Sequence, residues 1–262
     1  MKFWTYLLAS VLVLAVPATV AGDSEWYLSG SLSSFSQGDS SNRGAFTSDF
    51  TTGDGSPAVP NGTVLPAGTS VGWETEFDSG IAFSFEGGKR YGNGWRSGLE
   101  LSRTEADVDF HAGVTAGGGL IDGVDAAVLT GDAMQLGVTV ADVVGDGRGD
   151  ISNLSLLVNA YYDFNRDGKF SPYIGAGFGL TDVDVTFNPS GVGIVDDGST
   201  ELAYQLKLGG TLNFNAKWEG FAEYTLRTSP DVEVSVDLIP ANLDIENDQD
   251  LFSIGARYRF GN

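Results

Sequence analysis

"LLVNAYYDFNRDGKFSPYIGAGFGL", residues 156–180, holds two runs of alternating polarity around a turn rich in Asn, Asp and Gly. Up to the turn, Leu154, Leu156, Val158, Ala160, Tyr162 and Phe164 share one parity, while Asn153, Ser155, Asn159 and Asp163 share the other. Side chains of a strand point to opposite faces with a period of two, so this spacing predicts two antiparallel strands joined by a hairpin turn. The turn also has a calcium-loop spelling, with oxygens at Asp163, Asn165 and Asp167 followed by Gly168. However, the position where a bidentate Glu would close an EF-hand cage is Ile174, and no helical pattern flanks the stretch. Tight-turn geometry explains the same residues more simply, leaving Asp163, Asn165 and Asp167 as a weak, incomplete metal candidate.

The pattern repeats outward from this hairpin. Alternating segments cover residues 25–34, 77–87, 95–104, 151–164, 170–187, 200–214, 218–227 and 250–260. Residues 88–94, 165–169 and 215–217 are short connections, and the others are long, so short turns and long loops lie at opposite ends of one meander. The fold class expected is all-β: an up-and-down antiparallel transmembrane barrel of about eight strands. Ten strands are the alternative, if 108–114 and 134–144 supply a further hairpin.

The chain has 262 residues, no Cys, and 35 acids against 14 bases. Residues 1–21 carry one charge, Lys2, then an apolar run and small residues, which predicts a secretory signal peptide and a mature barrel domain over 22–262. Loss of Lys2 leaves 13 bases and a charge of −22, a balance that excludes nucleic acid as a partner. The absence of Cys excludes a disulfide framework and a lipid anchor on Cys.

Alternation alone does not say which face meets water, because a soluble barrel turns its apolar face inward and a membrane barrel turns it outward. The aromatics decide. Trp26, Phe85, Trp95, Phe164, Phe214, Trp218 and Phe260 all lie on the apolar parity at the short-turn end, which is the pattern of an interfacial girdle. The opposite parity carries Glu86, Arg96, Glu100, Lys207, Glu219, Glu223, Arg257 and Arg259. In so narrow a barrel side chains fill the interior, and each unpaired charge there costs several kcal/mol. Glu219 and Glu223 are therefore expected to face Arg257 and Arg259, and Arg96 to meet Glu86, plugging the lumen.

Three stretches give a family resemblance: "FDSGIAFSFEGG" (77–88), "LLVNAYYDF" running into "SPYIGAGFGL" (156–180), and the closing "SIGARYRF" (253–260). With them the chain resembles the small outer-membrane β-barrels of Gram-negative bacteria, the OmpA-like transmembrane domain and its opacity-protein and surface-antigen relatives. The resemblance implies an integral outer-membrane protein exported through the periplasm, with outer-membrane lipid and lipopolysaccharide as surroundings. It also implies that Ser253, Gly255, Tyr258 and Phe260 form the signal read by the barrel-assembly machinery. The family usually stops at the aromatic residue, whereas Gly261 and Asn262 follow here. OmpA itself continues into a peptidoglycan-binding domain, and this chain is expected to lack one.

Motifs for chemistry are sparse, and no cofactor is expected. His111, the single histidine, sits in "DVDFH", where Asp107 and Asp109 could orient it as a general base in an embedded hydrolase. A solvated loop histidine is the plainer reading. "GGGL" (117–120) lacks the Lys and Ser/Thr of a phosphate loop. The long loops are acidic: from 228 to 256 Asp231, Glu233, Asp237, Asp244, Glu246, Asp248 and Asp250 occur without a base, and 107–150 adds Asp122, Asp125, Asp132, Asp142 and Asp146 against Arg148. Such a rim gathers divalent cations that can bridge to lipopolysaccharide phosphates, or simply keeps an exposed surface soluble. The function expected is a non-enzymatic anchor presenting acidic loops, for envelope integrity, adhesion or partner contact. A narrow porin and an embedded hydrolase are the alternatives.

Overall fold

The computed structural model describes residues 24–260; the signal segment 1–21, Gly261 and Asn262 lie outside the described residues. Among the described residues fifteen strands form: β1 (Glu25–Gln37), β2 (Ser40–Phe46), β3 (Phe50–Thr51), β4 (Val64–Leu65), β5 (Ser70–Phe77), β6 (Ser79–Arg90), β7 (Trp95–Ala116), β8 (Gly119–Leu120), β9 (Gly149–Asp163), β10 (Phe170–Phe187), β11 (Val195–Asn213), β12 (Trp218–Thr228), β13 (Val232–Val236), β14 (Ala241–Ile245) and β15 (Asp248–Arg259). Eight of them close a ring in the order β1, β6, β7, β9, β10, β11, β12, β15, with β15 pairing back onto β1. Closure leaves no strand edge unpaired, which a sheet within a bilayer requires. At the short-turn end Gly94 takes φ +89°, a conformation that disfavours any residue with a Cβ, and this lets Tyr91 and Trp95 close the β6–β7 hairpin.

Strands β7 and β10, with 22 and 18 residues, do not end at the membrane. On β7 the outward residues are Trp95, Leu99 and Leu101, then Arg103, Glu105, Asp107 and Asp109. The inward residues run Arg96, Glu100, Ser102 and Thr104, then Ala106 and Val108. Strand β10 changes at the same level: outward Ile174, Phe178 and Leu180 give way to Asp182 and Asp184, and inward Ser171, Tyr173 and Thr181 give way to Val183, Val185 and Phe187. The reversal marks the outer membrane surface. Below it hydrocarbon surrounds the barrel and apolar side chains point out; above it water surrounds the barrel and they point in.

Above that level the long connections complete a second barrel section. The outer part of β7 pairs with β5, β5 with β2, β2 with β14 and β14 with β13. Strand β13 returns toward β11, where Asp237 N–H donates to Ile194 O at 2.7 Å. Phe46, Val71, Trp73, Ile151, Phe187, Val232, Leu243 and Ile245 pack inside this head as an apolar core. Two short helices, α1 (Ala127–Thr130) and α2 (Val140–Val144), sit over it. Thr139 and Asp142 cap α2 reciprocally. Asp122 pins the connection to β7 by accepting from Gly113 and Val114 N–H at 3.1 and 2.7 Å.

The ten-strand alternative is thereby corrected. Residues 108–114 continue β7 above the membrane and pair with β5, while 134–144 contribute an irregular stretch and α2. Their apolar residues serve the head core, which is why they resembled spanning segments. The acidic stretch 228–256 is likewise folded: Val232, Val234, Leu243 and Ile245 point into the core, while Glu233, Asp237 and Asp244 stay exposed on the outer face.

Candidate functional site

Inside the membrane section, five carboxylates (Glu86, Glu100, Asp163, Glu219, Glu223) and five bases (Arg90, Arg96, Lys207, Arg227, Arg257) are buried. Arg96 occupies the middle of one cluster, its guanidinium 3.8 Å from the Tyr161 ring centroid and 4.9 Å from that of Tyr173. Its nitrogens lie 3.7 Å from Glu86 and 3.5 Å from Asp163. Glu86 also accepts from Tyr27 and Asn159 at 2.7 Å each and from Tyr161 at 2.5 Å. Higher in the lumen Lys207 bridges Glu100 at 3.0 Å and Glu223 at 2.8 Å, and Arg227 reaches Glu100 at 3.3 Å. At the short-turn end Glu219 receives Arg90, Arg257 at 2.9 Å and Arg259 at 3.3 Å.

Several of these contacts differ from the sequence expectation. Glu219 does face Arg257 and Arg259, but Glu223 stands opposite Ser253 in the β12–β15 register and turns to Lys207 and the Tyr173 hydroxyl. Asp163 is no turn ligand: it points into the lumen beside Arg96 and Arg90. Asn165 donates to Phe170 O, and the Asp167 side chain is 99% exposed, so the three calcium-loop oxygens do not converge. Among the described residues no group of three or more His, Cys, Asp or Glu side chains is arranged to hold a metal ion. Arg90 reads as a turn base in the sequence, yet β6 runs through it on the same parity as Glu86 and Gly88, which carries it inside. Arg227, Tyr161 and Tyr173 are further lumen residues missed by sequence reasoning; the parity of Tyr161 with Asn159 and Asp163 is the signal that marks it.

On the outer surface Trp26, Phe85, Trp95, Phe164, Phe214, Trp218 and Phe260 are all exposed at the short-turn end. The Trp218 and Tyr258 rings stack edge to face at 5.0 Å, as do Tyr258 and Phe260. Of the closing residues, Ser253 points inward to hydrogen-bond Ser33 at 2.7 Å. A Cβ on Gly255 would come within 2.3 Å of the Phe221 ring, so glycine is required there by close approach.

His111 is not a solvated loop residue. It lies on β7 inside the head, 4% exposed, with Nδ1 2.8 Å from Thr75 Oγ1 and its ring 4.8 Å from that of Phe187. Burial holds its pKa down to about 4, against a smaller opposing pull from Asp146. Asp107 and Asp109 point outward from the same strand and do not orient it.

Comparison with known proteins agrees with this architecture. The family model "Outer membrane protein beta-barrel domain" matches residues 6–260. The outer membrane protein PagN of Salmonella typhimurium (strain LT2) is 31% identical over 113 residues, 42% of this chain and 41% of that relative's length. Among solved structures, the outer membrane protein OprG of Pseudomonas aeruginosa superposes with a TM-score of 0.50 at 14% identity, covering 92% of this chain and 98% of OprG. Neisserial surface protein A has a TM-score of 0.47 at 12% identity, covering 91% and 99% of the two chains. The closed ring, its outward apolar face and the matched family model lead to one conclusion: the chain belongs to the outer membrane β-barrel protein family and is an integral protein of the Gram-negative outer membrane.

Proposed function

We propose that the protein is a non-enzymatic anchor whose plugged barrel holds a folded, acidic head above the membrane for envelope integrity or for contact with surfaces and partners. The observation that carries this reading is the burial of all ten opposed lumen charges. In a water-filled pore such side chains would be wetted; here they are packed against one another and against Tyr27, Tyr161 and Tyr173. The head supports the second half of the reading. Its acids are fixed on the outer faces of strands, so it presents a defined charged surface in place of mobile loops. A hydrolase built on His111 is disfavoured, because its hydrogen-bonding neighbour is Thr75 and its ring packs among Trp73 and Phe187.

Planar-bilayer recording of the purified, refolded chain tests the anchor. No steady large conductance is expected. A Glu219→Ala, Arg257→Ala variant that removes one end of the plug is expected to give noisy openings that the unaltered chain lacks. A steady ion-selective pore in the unaltered protein would overturn the reading in favour of a narrow porin.

A further inference from the structure

Charge is divided between the two ends of the barrel. The whole chain has 35 acids against 14 bases, yet its short connections, residues 88–94, 165–169 and 215–217, hold Lys89, Arg90, Arg166, Lys169 and Lys217 against Asp167 alone. Arg90 turns into the lumen toward Glu219. The other four bases stay at the surface, Lys169 and Lys217 exposed, Lys89 and Arg166 partly so. Asp167 reaches Arg166 Nε only at 4.0 Å, and Glu25, partly exposed at the same end, lies 3.9 Å from Arg259. The short-turn end is therefore positive on a chain that is strongly negative as a whole.

The turns are fastened into one floor. Arg166 Nη1 donates to Tyr91 O at 3.1 Å, which joins the β9–β10 turn to the β6–β7 turn. Asn213 Nδ2 donates to Gly168 O at 2.6 Å and Asn213 N–H to Lys169 O at 3.0 Å, which joins the β9–β10 turn to the β11–β12 turn. Arg259 Nη2 donates to Asn215 O at 3.0 Å and ties in β15. Between the β9–β10 and β11–β12 turns lies a surface depression lined by Arg166, Lys169, Asn215, Arg259 and Phe214, with Asp167 as its one acid. Phe214 is 64% exposed and belongs to the aromatic girdle. One wall is thus basic and the other is continuous with the lipid-facing surface. Lys89 marks the same depth, its Nζ 5.7 Å from the ring centroid of the girdle residue Trp26.

We infer that this depression binds the headgroup of an anionic phospholipid from the leaflet on the short-turn side, its phosphate beside Arg166 and Lys169 and its acyl chains along Phe214. Arg and Lys hydrogen-bond phosphate oxygens with charge assistance, and bases at an anionic membrane surface are attracted to it. A soluble polyanion fits less well, because the turns are too short to project beyond the headgroup layer and Phe214 would contribute nothing to its binding. The acidic head lies at the opposite leaflet, so lipids of that side do not reach the site. The inference rests on the membrane placement of the ring and not on a plugged lumen, so conductance does not decide it.

The test is native mass spectrometry of the purified, refolded chain in non-ionic detergent, titrated with equal amounts of dioleoylphosphatidylglycerol and dioleoylphosphatidylcholine. The two share acyl chains and phosphate and differ in net charge. The first phosphatidylglycerol is expected to bind about five- to thirtyfold more tightly, the attraction of one or two bases, and the preference is expected to shrink as salt is raised. Arg166→Gln, Lys169→Gln is expected to cut the preference to about twofold or less. Arg103→Gln, which removes an exposed base paired with Glu105 at the head side, is expected to leave it unchanged. If the double variant lacks the heat-resistant folded form on gels, Lys169→Glu at its exposed position is expected to remove the preference alone. Soluble glycerol 3-phosphate in excess is expected not to displace the lipid. Equal binding of the two lipids, a preference that survives in the folded turn variants, an equal loss in Arg103→Gln, or displacement by glycerol 3-phosphate would each overturn the inference.

Discussion

Lys207 Nζ lies 3.0 Å from Glu100, although the two residues stand on strands β11 and β7, three places apart around the ring. The contact crosses the lumen and ties opposite walls together, with Glu223 as the second partner at 2.8 Å. Removing one member leaves a buried charge without its counterion, the costly case for ion pairs. Lys207→Met is expected to lower stability by about 3–5 kcal/mol, read from urea unfolding in lipid vesicles. Adding Glu223→Gln to it is expected to restore more than half of that loss, because Glu100 keeps Arg227 and the remaining acid is neutralised. Additive losses in the double variant would show that the bridge is not a coupled unit.

The burial of His111 sets the pH response of the head. Its folded pKa of about 4 lies below the ordinary value of 6.5, so the folded state binds fewer protons than the unfolded one. The stability linked to it is fully present above pH 6.5 and is lost as pH falls from 6.5 toward 4. The loss is on the order of 3 kcal/mol at most, less in proportion to residual water contact. NMR titration of this sole histidine is expected to show a midpoint well below 6.5. A midpoint at 6.5 would mean the head is open to water.

Carboxylates on the outward face just above the membrane repel one another. Asp150 is raised above the usual carboxylate range by partial burial and by Glu105, Asp107 and Asp184; Asp184 is raised by burial and by Asp182. For an acid shifted this way the sign is reversed: the folded state favours the protonated form, and stability is lost as pH rises through the raised value. At neutral pH, Asp150→Asn and added magnesium are both expected to reduce protease cleavage of the head. A chelator at fixed ionic strength is expected to increase cleavage and to weaken lipopolysaccharide association. Insensitivity to both would leave the acids as a solubilising surface only.

The head and the membrane ring are expected to be separable in stability. Gly147 takes φ +57°, and a Cβ there would lie 1.8 Å from Asp109 O, against the outer part of β7. Gly147→Ala is expected to cost about 2 kcal/mol or more through strain and displacement. The expected reading is proteolysis within residues 117–148 while the ring keeps its heat-resistant, folded mobility on gels. Loss of the folded gel form would show that the ring depends on the head.

Alternation within each strand was enough to establish the strands, because a period of two is a local property of the chain, and the aromatics gathered on one parity at the short-turn end then set the apolar face outward. Residues 170–187 read as strand from the sequence and are strand β10 in the structure, and the parity of Glu86, Glu100, Lys207 and Glu219 placed them inside before any fold was known. The change of parity at Leu180 to Val183 was also written in the sequence, but its meaning depends on where hydrocarbon gives way to water, which no single strand records. What tertiary structure alone decided was the pairing of β2, β5 and β14 with the outer part of β7. Those partners are distant along the chain, and only their closure around a shared apolar core turns "DVDFH" from an apparent loop into a strand with His111 buried beneath it.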